Sequence, residues 1–194
     1  MGWRLLDGSG VDAAPDRSAS VNPSVREPAS VQTEATIVTV TGALPAPARR
    51  PLRTDVTAIL DSWWESAYLG GRWPRSAKDF DASVFTEFSQ GAAADALDDR
   101  AVMSNALLAD RTTGVVALRR SADLNVFAVH GEPLGVDVRF ALVYRAVGAD
   151  KRVRVTGTVS MVGSAAGRWQ IFDYRVSRGA VPLPQQNQTG QGAS

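Results

Sequence analysis

The hydrophobic period of this chain changes once, near Thr113, and that change limits the folds open to it. Before it, apolar residues recur at steps of three and four; after it, they alternate. The first pattern is one face of an α-helix and the second one face of a β-strand. The strand-like segments are "GVVALRRS", "ADLNVFAVHG", "GVDVRFALVYRAV", "KRVRVTGTVSMV" and "GRWQIFDYRV", separated by the turn signals "HGEPLG", "GADK" and "GSAAG". Val136, Val138, Phe140, Leu142 and Tyr144 alternate with Asp137, Arg139, Ala141, Val143 and Arg145, so each strand has an inner and an outer face. Gly157 stands among the inner residues Val153, Val155, Val159 and Met161, where a missing side chain marks a bulge or bend. Helices first and a meander afterwards predict an α+β fold, with N-terminal helices packed on a curved antiparallel sheet of four to five strands.

In the helical half, "RTDVTAILDSWWESAYLGG" is predicted to open at Thr54 or Asp55 and to close at Gly70-Gly71. Val56, Ile59, Leu60, Trp63, Trp64, Ala67 and Tyr68 give it one broad apolar face with an aromatic stripe. "AKDFDASVF" is a short helix candidate. "TEFSQGAAADALDDRAVMSNALLAD" is a longer one, opening at Thr86 or Ser89, with Ala93, Leu97, Ala101, Leu107 and Leu108 as its apolar side. Residues 1–51 and 179–194 are poor in large apolar side chains and read as disordered tails around a domain at 52–178. Within the first tail, "TEATIVTVTG" is a strand candidate, and "ALPAPARRP" reads as an extended linker because each Pro opposes helix.

Composition removes several function classes. A net charge of +1 favours neither nucleic acid nor membrane. With no Cys and one His, disulfides, thiolate metal sites and multi-histidine metal sites are excluded, and no cofactor is expected. No P-loop, GxGxxG, HExxH, GxSxG or EF-hand pattern occurs. No apolar run is long enough to span a bilayer, and "MGWRLLDGSG" lacks the apolar stretch of a signal peptide. As written, the chain is expected in the cytoplasm; a longer true N-terminus would open a cell-envelope association.

The element order, with an aromatic first helix, a second helical region, long antiparallel strands and a closing "GRWQIFDYRV" strand, resembles the NTF2-like (cystatin-like, α+β cone) superfamily. It is most similar to the actinobacterial Mce-associated and related uncharacterised NTF2-like proteins, over about Leu52 to Val176. Those proteins usually carry a membrane helix before the domain; none is present here. The resemblance implies a sheet wrapped around the helices to leave a conical pocket, which Trp63, Trp64, Tyr68, Phe140 and Trp169 would line. Some such folds act as ketosteroid isomerases, SnoaL-like cyclases or dehydratases; others bind a protein partner, dimerise through the sheet or carry an apolar ligand.

Two residues are candidates for acid–base chemistry. Asp173 lies among apolar side chains on the last strand. Were the Trp169–Ile171 face the inner one, strict alternation would place Asp173 in a pocket wall with a raised pKa. Were Phe172 and Tyr174 inside, Asp173 would be a surface group paired with an arginine of a neighbouring strand, Arg139, Arg152 or Arg154, and this is the favoured reading. His130 ends a strand beside Gly131 and titrates near neutrality when unperturbed. Asp61 with Glu65, and Asp79 with Asp81, read as a solvated helix face and a loop. The outer sheet face carries Arg139, Arg145, Arg152 and Arg154, with Arg119 and Arg120 beside them. Of these, Arg139, Arg152 and Arg154 are the candidates for an anionic partner, since guanidinium forks suit carboxylates. The expected function is therefore a non-catalytic protein-binding or self-associating module, with the small pocket enzyme or apolar-ligand carrier as the alternative.

Overall fold

Five strands form one sheet in the order β1–β2–β3–β4–β5, with the helices against one face. The computed structural model describes residues 31–149, 151–163 and 168–182; most of both expected tails lies outside them. β1 (Glu34–Thr41) pairs in parallel with β2 (Val115–Val129), and β3 (Glu132–Ala146), β4 (Lys151–Gly163) and β5 (Trp169–Pro182) continue as an antiparallel meander. The sheet is therefore mixed rather than wholly antiparallel. The strand candidate "TEATIVTVTG" is its edge. Ala35, Ile37 and Val40 turn inward and pack against the core, so the folded region starts well before residue 52. At the other end, β5 runs past residue 178.

The expected linker is the start of α1 (Ala46–Trp64), preceded by Pro45. Pro47 is harmless in the first turn, whose N–H groups have no intrahelical acceptor. Pro51 lies further in, and the helix continues through it because Leu52 and Val56 behind it are buried in the core. Thr54 is no cap: its hydroxyl donates to the Arg50 carbonyl one turn back, at 3.1 Å. After Trp64 the helix widens into a π-turn over Glu65–Leu69, closed by Gly70 N–H donating to the Glu65 carbonyl at 2.7 Å. The widening lets the consecutive residues Ala67, Tyr68 and Leu69 all be buried. The next segment forms two short 3₁₀ turns, Ala77–Asp79 and Ala82–Phe85. The longer predicted helix divides at Asp99 into α2 (Gln90–Asp98, after Ser89) and α3 (Arg100–Met103), burying Ala92, Ala96 and Met103, while Ala101 and Leu107 are exposed.

The core lies between α1 and the inner face of the sheet. Trp63 makes edge-on contacts with Tyr68, Phe88 and Phe140 at centroid distances of 5.8, 5.4 and 5.5 Å, and Trp64 meets Phe140 at 5.7 Å. Aromatic pairs of this kind add about 0.5–1.5 kcal/mol each beyond the area they bury. Bulges interrupt the strands at Val38, Leu118, Leu134 and Phe172, where one residue has no opposite number on the neighbouring strand. All four are exposed large apolar residues. At Val38, Leu118 and Phe172 the inward residue before the bulge (Ile37, Ala117, Ile171) is followed by two outward ones, so the core-facing alternation resumes one residue late, at Val40, Arg120 and Tyr174.

Gly157 has a contact reason for lacking a side chain. A Cβ there would sit 2.1 Å from the Arg175 carbonyl oxygen and 3.0 Å from Val176 Cα, both backbone atoms of β5. Gly157→Ala should therefore push β5 off β4 and destabilise the protein by about 1–3 kcal/mol, the usual range for overpacking. Denaturant midpoints measure the loss; an unchanged midpoint would refute this account of the glycine.

Candidate functional site on the open face of the sheet

The residues expected to line a conical pocket lie in the core. Trp63, Trp64 and Tyr68 are fully buried, Phe140 and Trp169 nearly so, and the space between α1 and the strands holds their packed rings. Behind them is a polar network that local sequence patterns do not reveal. Asn105, fully buried, donates to the Tyr68 carbonyl at 2.5 Å and accepts from the Tyr144 hydroxyl. Arg178 of β5 reaches the same Asn105 oxygen at 2.9 Å and the carbonyls of Ala101 and Ser104 at 3.1 and 3.0 Å. The Tyr68 hydroxyl donates to the Val102 carbonyl at 2.8 Å. The network ties α1, the α3 region, β3 and β5 together, with each of these polar groups bonded, as burial requires. Burial pushes the Tyr144 phenol from the ordinary 10.0 up to about 12, and Tyr68 well up, chiefly for the same reason. Tyr174, donating to Asp99 at 3.0 Å, is also raised, first by desolvation and then by that bond and the neighbouring carboxylates.

The two acid–base candidates are not brought together. His130 is exposed, at φ 53°, and Gly131 follows at φ 88°. With Val129 opposite Glu132, they form the two-residue turn joining β2 to β3, whose twist needs left-handed backbone at both positions. Asp173 is exposed on β5, opposite Ser160. The question of its facing has a mixed answer. Trp169 and Ile171 face inward, the bulge at Phe172 shifts the alternation, and Tyr174 and Val176 then face inward too. Asp173 thus sits outside although Ile171 is inside, and neither candidate occupies an enclosed apolar site.

The acidic pairs have structural partners. Arg120, beside the bulge at Leu118, faces inward, contrary to its expected place on the outer face, and is only 9% exposed. It bonds Asp61 at 3.1 Å and Glu65 at 2.5 Å, and Asp61 also accepts from Thr33 at 2.5 Å. Asp79 accepts from Ser76 N–H at 2.8 Å and Asp81 from Ser83 N–H at 2.9 Å, each fixing a 3₁₀ turn. The Ser83 bonds hold Asp81 below the usual carboxylate range. Among the described residues no group of His, Asp and Glu is placed to hold a metal, and no helix is long and apolar enough to cross a membrane.

The outer face of the sheet is the candidate site. Cross-strand register arranges it in rows: Asn125–Asp137–Ser160–Asp173, then Asp123–Arg139–Thr158–Arg175, then Ser121–Ala141–Thr156–Ser177, then Arg119–Val143–Arg154. Arg145 and Arg152 are paired beyond the last row, and Phe127, Gly135 and Val162 lie beyond the first. A groove of about 460 Å³ opens at the middle, between the charged row and the small one, lined among others by Ser121, Asp123, Arg139, Ala141, Thr156 and Arg175. Among the described residues none of these outer arginines has an ion-pair partner. Arg139 and Arg154 are exposed and Arg152 is half-buried, all on this face; Arg175, in the groove wall, was not singled out by sequence patterning. No family model, curated protein or solved structure matches the chain.

The raised phenols carry a consequence for stability. The folded state holds these protons more tightly than the unfolded chain, so stability is intact below about pH 10 and falls as pH rises toward about 12. All 3 tyrosines of the chain share the direction. In an alkaline titration, phenolate absorbance should therefore rise together with loss of circular dichroism. Phenolate appearing near pH 10 with the fold intact would contradict the burial of these hydroxyls.

Proposed function

We propose that this chain is a non-catalytic accessory module of NTF2-like architecture that works by self-association across the open face of its sheet. The support for the architecture is the long α1 laid on one face of a bulged sheet and the antiparallel meander β2–β5 that follows the helices. The observation that carries self-association is the self-complementarity of the outer rows. A two-fold axis lying in the interface and running across the strands, between the charged and the small rows, lays each strand antiparallel over its own copy. Arg139 then lies over the partner's Ala141, and Arg175 over the partner's Ser177. Arg154 comes over the partner's Ser160, between Asp137 and Asp173, which flank that serine in register. Long cations meet small residues, and the unpaired guanidinium meets two carboxylates. Facing sheets pack about 10 Å apart, within reach of an arginine side chain from either side.

The groove becomes the space that the partner's Arg139 fills. The exposed Phe127 and Val162 lie beside the acidic row, where the stems of Arg145 and Arg152 would cover them.

Sedimentation equilibrium of the full chain across the micromolar range tests this reading, with a dimer expected. Arg154→Asp should weaken the dimer by about tenfold or more, and Asp137→Arg with Asp173→Arg should do the same. Combining all three substitutions should recover much of the loss, because the charges are exchanged rather than removed. A strict monomer, or a dimer indifferent to both charge reversals, would rule the sheet interface out.

A further inference from the structure

A second surface, on the edge of the sheet rather than its face, has a different chemistry. β1 is the terminal strand, and among the described residues only β2 pairs with it, so its outer edge presents backbone N–H and C=O groups without a strand partner. β1 holds no Pro and no Lys, and the protections it does carry are Glu34 at its start and the bulge at Val38. Beside this edge runs a groove of about 350 Å³, lined by Thr33 and Ala35 from the start of β1 and by Arg53, Thr54 and Thr57 of α1. Thr33, at one end of the groove, is tied to the same helix by its hydroxyl donating to Asp61.

Arg49, Arg53, Thr57 and Asp61 follow at steps of four and so form one stripe of α1. Asp61 is engaged by Thr33 and Arg120. Arg49 and Arg53 are exposed and have no carboxylate partner among the described residues. The stripe over the edge is therefore cationic. A strand added to β1 would turn alternate side chains toward α1 and the others toward the outer face. We infer that the β1 edge and this stripe form a docking site for an extended acidic peptide of a partner protein, which adds a strand to β1 and places Asp or Glu at alternate positions against Arg53 and Arg49. Backbone bonding supplies affinity in this mode, and the alternate side chains supply selectivity. The site shares no residue with the outer rows, so it stands or falls independently of the sheet-face dimer.

The test is a display library of random nine-residue peptides, selected on the full chain and counter-selected on the Arg49→Glu, Arg53→Glu double variant. Enriched peptides should carry Asp or Glu at alternate positions. One of them, made synthetically, should bind about tenfold or more weakly to the double variant and to the wild type when its alternate amides are N-methylated. Its binding should protect β1 amides from hydrogen exchange. Several results would overturn the proposal: no enriched peptide, enrichment without acidic alternation, or binding unchanged by the double variant or by N-methylation. Protection of β1 amides that rises with protein concentration before any peptide is added would also overturn it, by showing a second copy on the edge.

Discussion

The packing of Trp63 and Trp64 against the inner face of the sheet is the contact on which the arrangement depends. Both are fully buried, and between them they touch Tyr68, Phe88 and Phe140, which belong to the π-turn after α1, the segment before α2, and β3. Burying a large apolar side chain contributes about 1.5–3 kcal/mol, so these two residues supply a substantial part of the marginal stability of a domain this size. Because the rings occupy the interior, the sheet can offer binding chemistry only on its other face and along its edges. Function, on this account, follows from what the core excludes.

The bulges explain why the strands read as apolar on both sides. Strict alternation assigns every second residue to the core, and Phe172, Leu134, Leu118 and Val38 violate it. A bulge is a property of two strands in register, so nothing in a single strand announces it. The period change near Thr113, the aromatic stripe of α1 and the helix-breaking Gly70 were legible, because each is encoded in neighbouring residues. The role of "ALPAPARRP" was not. Proline opposes helix in the interior and is tolerated in the first turn, and only the buried positions of Leu52 and Val56 show where the first turn lies.

Charge was the least legible part of the site. Arg119 and Arg120 are neighbours, and the bulge at Leu118 sets which of them points inward. Asp61 and Glu65 looked like a solvated helix face because their partner lies on a strand 59 and 55 residues away. Asp173 is exposed on β5, as the surface reading has it, but it stands opposite Ser160 with no ion pair among the described residues, and the alternation used to reach that reading fails at Phe172. His130 had a local signal of another kind. A residue before Gly between two strand-like runs is a turn position, and imidazole is among the side chains that tolerate left-handed backbone.

Desolvation accounts for the way arginines are distributed. A guanidinium taken out of water must be compensated, and those that reach inward are: Arg120 by two carboxylates, Arg178 by carbonyls and the Asn105 amide. The exposed ones, Arg139, Arg154 and Arg175 on the outer rows and Arg49 and Arg53 on the α1 stripe, keep their hydration and need no partner within the chain. Overall the charge is only +1, so the cationic surfaces are balanced by acids placed elsewhere, among them the exposed Asp95, Asp98 and Asp99 around the α2–α3 junction. The molecule is therefore electrically uneven although nearly neutral. At the proposed edge site an acidic segment would meet an attraction whose range is set by ionic strength, while one approaching the α2 side would be repelled. The acidic partner proposed for the β1 edge would thus require no net charge on the protein, only the separation of its charges by the fold.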